Sequence, residues 1–201
     1  MQAISKILFG IANSLLVPDI VLLILFFVWA LIMLGITYGA FTARNKNQRL
    51  FQELIHHLEP SQLPEIKERL KKSSPSLFID YLCDLMNANP NDDYTNWLLN
   101  DFETQAAKDV NKARLLTKVG PVLGLMGTLI SMSPALVGLS TGDISGMAYN
   151  MQVVFATTVL GLVISIIGLF VQQTKQRWYA QDVNNLERVA HTLVLSKGGQ
   201  Q

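Results

Sequence analysis

Long apolar runs dominate the chain and are separated by one long polar segment. Three runs approach or exceed the roughly 20 residues that an α-helix needs to cross the hydrocarbon core of a membrane. They comprise residues 20–42, 119–139 and 147–171, and none contains Asp, Glu, Lys, Arg or His. The pattern therefore predicts three transmembrane helices, which we place at residues 18–43, 119–140 and 147–172.

The segment between the first two runs is polar and balanced in charge. Residues 44–118 carry eleven Lys or Arg and eleven Asp or Glu. No stretch alternates apolar and polar residues for long enough to indicate a strand, so helices are favoured. We predict that residues 44–118 form a helical cytoplasmic domain, with helices at about 43–58, 62–72, 76–88 and 93–118.

Two of the predicted helices should continue beyond the membrane. No Gly or Pro interrupts the chain from Tyr94 to Val119, so the last helix of the polar segment should run into the second span, with a kink at Pro121. The third span should continue through residues 173–201, which we assign to a cytoplasmic extension with an apolar stripe at three- and four-residue spacing: Val183, Leu186, Ala190 and Leu193. The predicted fold class is thus an all-α membrane protein.

Positive charge near the span ends indicates the orientation. It clusters after the first span, before the second and after the third, which places these ends in the cytoplasm. The N-terminus, with Lys6 and Asp19, and the loop at residues 141–146 are then periplasmic. Residues 1–17 contain an apolar stretch too short to cross, which favours an amphipathic helix lying in the outer interface.

Composition excludes several classes of function. The net charge of the chain is +1, so no basic surplus indicates nucleic-acid binding. Cys83 is the single cysteine, which excludes an internal disulfide and a cysteine metal cluster. His56 and His57 are adjacent and point about 100° apart on a helix, which makes a joint metal site unfavourable. We expect no metal, no cofactor and no catalytic residue.

Small and weakly polar residues form one face on each of the last two predicted spans. The second span has Gly120, Gly124, Thr128, Ser131 and Ala135, and the third has Thr158, Gly161, Ser165, Gly168 and Gln172. Small residues let helix backbones approach closely, and hydroxyl groups can bond across helices or meet water. One such face is typical of plain helix packing, whereas two matched faces indicate the wall of a shared passage.

Two stretches carry a resemblance to a known family. Gly120 to Met132 (GPVLGLMGTLISM) resembles the second-helix motif of the MotA/TolQ/ExbB family, and Asp143 to Ile166 (DISGMAYNMQVVFATTVLGLVISI) resembles its loop and third helix. Order of spans, orientation and the cytoplasmic insertion are similar too. Val153, Ile167 and Ser131 stand where TolQ and ExbB members usually have glutamate, proline and glycine, which favours MotA-like or divergent members.

The resemblance implies an ion-conducting stator subunit of a bacterial inner-membrane motor. It implies a homopentamer in the lipid bilayer around a single-span partner of the MotB, TolR or ExbD type, whose aspartate carries the ion, H⁺ or Na⁺. Candidate ion-path residues are Thr128, Thr157, Thr158, Ser131 and Ser165, and candidate packing residues are Gly120, Gly124, Gly161 and Gly168. Because the three apolar runs contain no carboxylate, the partner is expected to supply one.

Two other functions stay open on the sequence alone. A non-conducting membrane scaffold could use the same small-residue faces for packing. A membrane enzyme is disfavoured, because the runs contain no His, Asp, Glu or Cys and the glycines lack the lysine of a phosphate-binding loop. The process that a motor would drive, whether motility, outer-membrane energising, secretion or defence, is left open.

Overall fold

The computed structural model of the chain describes residues 2–56, 76–87 and 92–198, and every regular element in these ranges is an α-helix. The helices are α1 (Gln2–His56), α2 (Leu77–Asn87), α3 (Asp92–Thr141) and α4 (Ile144–Gly198). Stretches long and apolar enough to cross a membrane lie in three of them, at Asn13–Arg44, Asp93–Thr141 and Ile144–Leu193. The predicted all-helical fold is confirmed for the described residues, with three helices that are long and apolar enough to cross a membrane.

The helix bounds differ from the prediction mainly in α1. This helix continues without a break from Gln2 through Pro18 to His56. The segments predicted separately at 1–17, 18–43 and 43–58 are therefore parts of one helix over the described residues, because a single proline removes only one backbone hydrogen bond from a long helix. The interfacial position of residues 1–17 stays a prediction, and the helix predicted at 62–72 lies outside the described residues.

The long helices α3 and α4 form a hairpin with a two-residue turn. Gly142 has a φ of 77°, a left-handed conformation that ends α3, and the Asp143 N–H donates to the Gly138 carbonyl at 2.8 Å. The Asp143 carboxylate then accepts the Gly146 N–H at 2.9 Å and caps the start of α4. A turn this short makes the two helices antiparallel neighbours.

The first compact unit comprises Met1–Gly35 and Lys112–Gln172. Its core contains one stripe from each of three helices: Leu23, Ala30 and Met33 from α1, Ala113, Leu116 and Leu123 from α3, and Ile164 and Val171 from α4. Large aliphatic side chains outside this core are exposed, such as Leu25, Leu129 and Ile166. Such a surface suits a hydrocarbon environment rather than water.

Three aromatic residues near the middle of the first span take part in this packing. Phe26, Phe27 and Trp29 are half-buried against the core of the first unit, and the rings of Phe26 and Trp29 lie 5.7 Å apart. Their bulk suggests from the sequence that the first span faces lipid, but these three side chains pack inward. The outer surface of the span consists mainly of aliphatic residues such as Val21 and Leu25, and its contact with lipid stays a prediction.

The second compact unit comprises Ile36–Asn111 and Gln173–Gln201. Its apolar core joins α2 to α3 and α4, with Phe102 fully buried at its centre. Leu186, Ala190 and Leu193 lie in this core, as the three- and four-residue spacing predicts. Tyr81 of α2 packs edge-on against Phe102, with ring centroids 5.3 Å apart, and donates its hydroxyl to Asp101. Burial and this hydrogen bond raise the pKa of Tyr81 to about 12, which keeps the phenol a donor.

Charged groups tie α1, α3 and α4 together in the second unit. The Arg44 guanidinium donates to both carboxylate oxygens of Asp182, at 2.5 and 2.8 Å, and lies 5.6 Å from the centre of the Trp178 ring. The Lys175 ammonium and the Tyr179 hydroxyl both donate to Oδ2 of Asp109, at 2.6 and 2.7 Å. Bidentate pairing of arginine with a carboxylate fixes the relative geometry of the two groups as well as balancing their charges. These polar contacts therefore help to hold α1, α3 and α4 together within the second unit.

Candidate functional site

Three glycines bring the backbones of α3 and α4 into direct contact. A Cβ on Gly161 would lie 2.5 Å from the Gly120 carbonyl oxygen and 2.9 Å from the Gly124 Cα. A Cβ on Gly124 would lie 3.1 Å from the Thr157 carbonyl oxygen. Real Cβ atoms do not approach backbone this closely without displacement, so any other residue at Gly161 would force the helices apart.

The close contact between α3 and α4 continues in the direction away from the turn at Gly142 and Asp143. A Cβ on Gly168 would lie 2.7 Å from the Thr117 backbone nitrogen. The Ser165 hydroxyl donates to the Thr117 carbonyl at 3.0 Å, which joins α4 to α3. Two of the sequence-predicted residues, Ser165 and Gly168, therefore meet α3 at one residue.

The two candidate threonines at the motif positions are half-buried and bonded within their own helices. The Thr128 hydroxyl donates to the Leu125 carbonyl at 2.7 Å, and the Thr158 hydroxyl donates to the Val154 carbonyl at 2.9 Å. Each bond uses the hydroxyl proton and leaves the oxygen lone pairs able to accept. Both side chains keep an accessible edge, so both can reach a neighbouring chain.

Among the candidate ion-path residues, Thr157 and Ser131 are the most deeply buried. Thr157 is 4% exposed and shares its proton between the Val153 and Val154 carbonyls, at 3.1 and 3.0 Å. Ser131 is 1% exposed, and its hydroxyl has no hydrogen-bond partner. Ser131 follows Gly127 by about one turn, so the two residues share a face of α3.

The packed face of α4 shares Gly161 and Gly168 with the face that the sequence pattern favours and differs from it by one residue at the other three positions. Its buried members recur at spacings of four and three, and they are Thr157, Gly161, Ile164, Gly168 and Val171. The expected face ran from Thr158 through Ser165 to Gln172, and these three side chains lie beside the contact, half-buried. The same spacing continues at the buried positions Asp182, Leu186 and Val189 of the second unit, but the burial of Asp182 is visible only in the structure, so the sequence pattern does not select this face.

Asp19 is buried inside the protein, which the sequence pattern does not predict. The pattern places Asp19 on the periplasmic side, just before the first carboxylate-free apolar run; in the structure its side chain is 1% exposed inside the first unit, while its side of the membrane stays a prediction. A Cβ on Gly127 would lie 2.9 Å from Asp19 Oδ2 and 2.9 Å from the Thr157 hydroxyl oxygen. The pattern misses this burial because the apolar run is counted from Ile20, whereas the apolar stretch of α1 begins at Asn13.

A signal in the sequence does place Asp19 on the packed face. Counting from Asp19 at spacings of four, three, four, three and four reaches Leu23, Phe26, Ala30, Met33 and Thr37. Of these, Leu23, Ala30, Met33 and Thr37 are buried and Phe26 is half-buried. The register of the helix therefore directs the carboxylate into the protein rather than toward lipid.

The comparison with protein families assigns most of the described helices to one family. Residues 80–188 match the MotA/TolQ/ExbB proton channel family. This range includes the hairpin of α3 and α4 with all the close glycine contacts. A comparison with curated proteins gave no match.

Proposed function

Because the chain belongs to the MotA/TolQ/ExbB proton channel family, we propose that it is the ion-conducting stator subunit of an inner-membrane motor. The chain is a multi-pass membrane protein of a channel family rather than of an enzyme family. The family match across the α3–α4 hairpin carries the proposal. The proposal has two specific parts: the chain conducts H⁺, and the flow of H⁺ is coupled to mechanical work.

The proposed assembly is a homopentamer with a single-span partner of the MotB, TolR or ExbD type at its centre. The N-terminus is periplasmic and the C-terminus cytoplasmic, in the bacterial inner membrane. The accessible edges of Thr128 and Thr158 support this arrangement, because they leave two hydroxyl oxygens for a neighbouring chain. Native mass spectrometry of the purified complex should show five copies of the chain, and a stable monomer or dimer would contradict the ring.

In this proposal the two threonines line the ion path beside the partner's aspartate. A charge at the centre of a membrane helix costs about 3 kcal/mol on insertion scales. A hydroxyl oxygen that holds a water molecule, or a hydroxyl that turns to donate to the carboxylate, lowers that penalty. The same oxygens suit Na⁺, so H⁺ is the first ion to test and Na⁺ the second.

The experiment removes one hydroxyl at a time from the full chain, purified with its partner in liposomes. Thr158→Val keeps the shape of the side chain, so the ring should form normally while proton flux falls by at least about tenfold. Thr128→Val should act in the same direction with a smaller effect. Ser140→Ala is the matched control, since Ser140 is an exposed hydroxyl bonded to its own helix at Val137. Wild-type flux in Thr158→Val would exclude this hydroxyl from the path.

A further inference from the structure

Asp19 is buried without any group to satisfy it. Its side chain is 1% exposed, and neither carboxylate oxygen has a hydrogen-bond partner. Buried carboxylates in proteins are normally paired or hydrogen-bonded, because an isolated charge loses its hydration. A buried carboxylate of this kind needs a species that neutralises its charge, and the hydrogen bonds and packing of the first unit do not provide one.

The surroundings of Asp19 are small, polar and within the apolar part of the fold. Gly127 has no side chain, and Asp19 Oδ2 and the Thr157 hydroxyl oxygen each lie 2.9 Å from the position that a Cβ on this glycine would take, so both pack closely against Gly127. Gly127 stands nine residues after Lys118, the nearest charged residue before it in the chain, which corresponds to about 13 Å along a helix. The carboxylate thus contacts α3 and α4 well inside their uncharged stretches.

The sequence provides no counter-charge along these stretches. Apart from Asp19, residues 7–43 of α1 contain no ionisable group except Tyr38, residues 119–142 contain none, and residues 144–174 contain only Tyr149. Both tyrosines are exposed. A buried carboxylate with no cation beside it is stable only when it is neutralised.

A neighbouring chain does not reach this group in the described conformation. Asp19 is enclosed by its own chain, whereas Thr128 and Thr158 keep accessible edges. The neutralising species must therefore be small, because the surroundings of Asp19 are too tight even for a Cβ on Gly127. A metal cation needs a shell of several oxygen ligands, and the described contacts provide the carboxylate and one threonine oxygen. A proton needs only one oxygen.

We propose that Asp19 is a proton-binding group of this chain, acting with Thr157 beside Gly127 in the ion path. This inference rests on the proposed function and adds to it an ion site that belongs to the subunit itself. The carboxyl receives a proton from water on one side of the membrane and returns one to water on the other, so the group is unchanged after each transfer. The Thr157 proton is directed to Val153 and Val154, which leaves its oxygen free to accept the Asp19 O–H.

The first test measures the proton itself, independently of transport. Infrared difference spectroscopy detects the C=O stretch of a protonated carboxyl, which a carboxylate lacks, and needs no reagent to enter the protein. The full-length protein should show this band, the band should fall several-fold as the pH is raised, and Na⁺ at constant pH should not remove it. Asp19→Asn should lose the band, and Asp143→Asn, at an exposed carboxylate, should keep it. Absence of the band at every pH, or its loss on addition of Na⁺, would overturn the proposal.

The second test measures flux in liposomes containing the chain and its partner. Asp19→Asn is nearly isosteric and should assemble normally, yet proton flux should fall by at least about tenfold, because the amide cannot take up a proton. Asp19→Glu should retain part of the flux, and Asp143→Asn should retain all of it, since asparagine can still cap α4. Wild-type flux in Asp19→Asn would refute the proposal. If the unsubstituted complex does not conduct, the stator function fails, and the infrared result alone decides whether Asp19 holds a proton.

Discussion

At the residue scale, the absence of a side chain decides how closely α3 and α4 approach. Gly120, Gly124 and Gly161 contact one another through backbone atoms, so the space that a methyl group would need is already filled by carbonyl oxygen and Cα atoms. Backbone cannot move aside as a flexible side chain can. The glycines therefore set the distance between the helices and, with it, the positions of Thr157 and Asp19.

We predict that Gly161→Ala destabilises the first unit by about 1–3 kcal/mol, the usual cost of overpacking. Its Cβ would lie 2.5 Å from the Gly120 oxygen. The matched control is Gly35→Ala, because Gly35 is also in a membrane-crossing helix but has nothing within 4 Å of the added atom. Thermal unfolding in detergent should show a lower midpoint for Gly161→Ala and an unchanged or higher one for Gly35→Ala. Equal midpoints would show that the close contact does not contribute to stability.

The sequence predicts the packing of some of these residues but not of others. The glycine contacts could be predicted from the sequence, because glycines repeated at helical spacing usually allow two helices to approach closely. The burial of Asp19 was missed because the apolar run was counted from Ile20 and Asp19 was assigned to the periplasmic end of the helix. Whether Thr157 or Thr158 faces the contact depends on a rotation of about 100° around α4, and the spacing within one span does not resolve it.

At the scale of elements, Arg44 connects α1 to α4 inside the second unit. Its guanidinium pairs with both oxygens of Asp182 and donates to the Trp178 carbonyl at 3.3 Å. The guanidinium also lies over the Trp178 ring, and Phe41 stacks against the same ring. Asp182 is 3% exposed. Removing the arginine would leave a buried carboxylate without its cation, which is more destabilising than the loss of the attraction alone.

We predict that Arg44→Leu destabilises the second unit by about 3 kcal/mol. Arg44→Lys should have an intermediate effect, because lysine keeps the charge but loses the bidentate geometry and the stacking on Trp178. Arg177→Leu, at an exposed arginine of the same unit, is the control. Hydrogen exchange of the α4 amides between residues 178 and 193 measures the effect.

The double variant Arg44→Leu with Asp182→Leu separates two causes. If the buried, unpaired carboxylate is responsible, exchange protection should recover in the double variant. Unchanged protection in Arg44→Leu itself would show that the ion pair does not hold α1 against α4.

Element bounds followed from the sequence where breakers or periodicity determined them. The turn at Gly142 and Asp143, the start of α3 at Asp92 and the extension of α4 to Gly198 agree with the pattern of glycine, charge and apolar spacing. The continuity of α1 through Pro18 did not follow, since a proline at that place predicts a boundary as readily as a tolerated interior position. The residues between α1 and α2 lie outside the described ranges.

At the scale of the whole molecule, apolar surface outside the cores needs covering. Large aliphatic side chains of α1, α3 and α4 in the first unit remain exposed, among them Val122, Leu162 and Ile166. Lipid covers such a surface without any partner, and helix association within lipid uses small residues and polar contacts instead. Membership of the MotA/TolQ/ExbB proton channel family and the accessible edges of Thr128 and Thr158 favour subunits and a central partner on part of this surface.

The most direct measurement of the central claim is proton uptake by liposomes that contain the full chain and its proposed single-span partner of the MotB, TolR or ExbD type. A membrane potential should drive uptake, reported by a pH-sensitive dye inside the vesicles, only when both proteins are present. Replacing the membrane aspartate of the partner with asparagine should abolish uptake while the complex still forms. If the assembled complex takes up neither H⁺ nor Na⁺ under a potential, the chain is not an ion-conducting stator subunit.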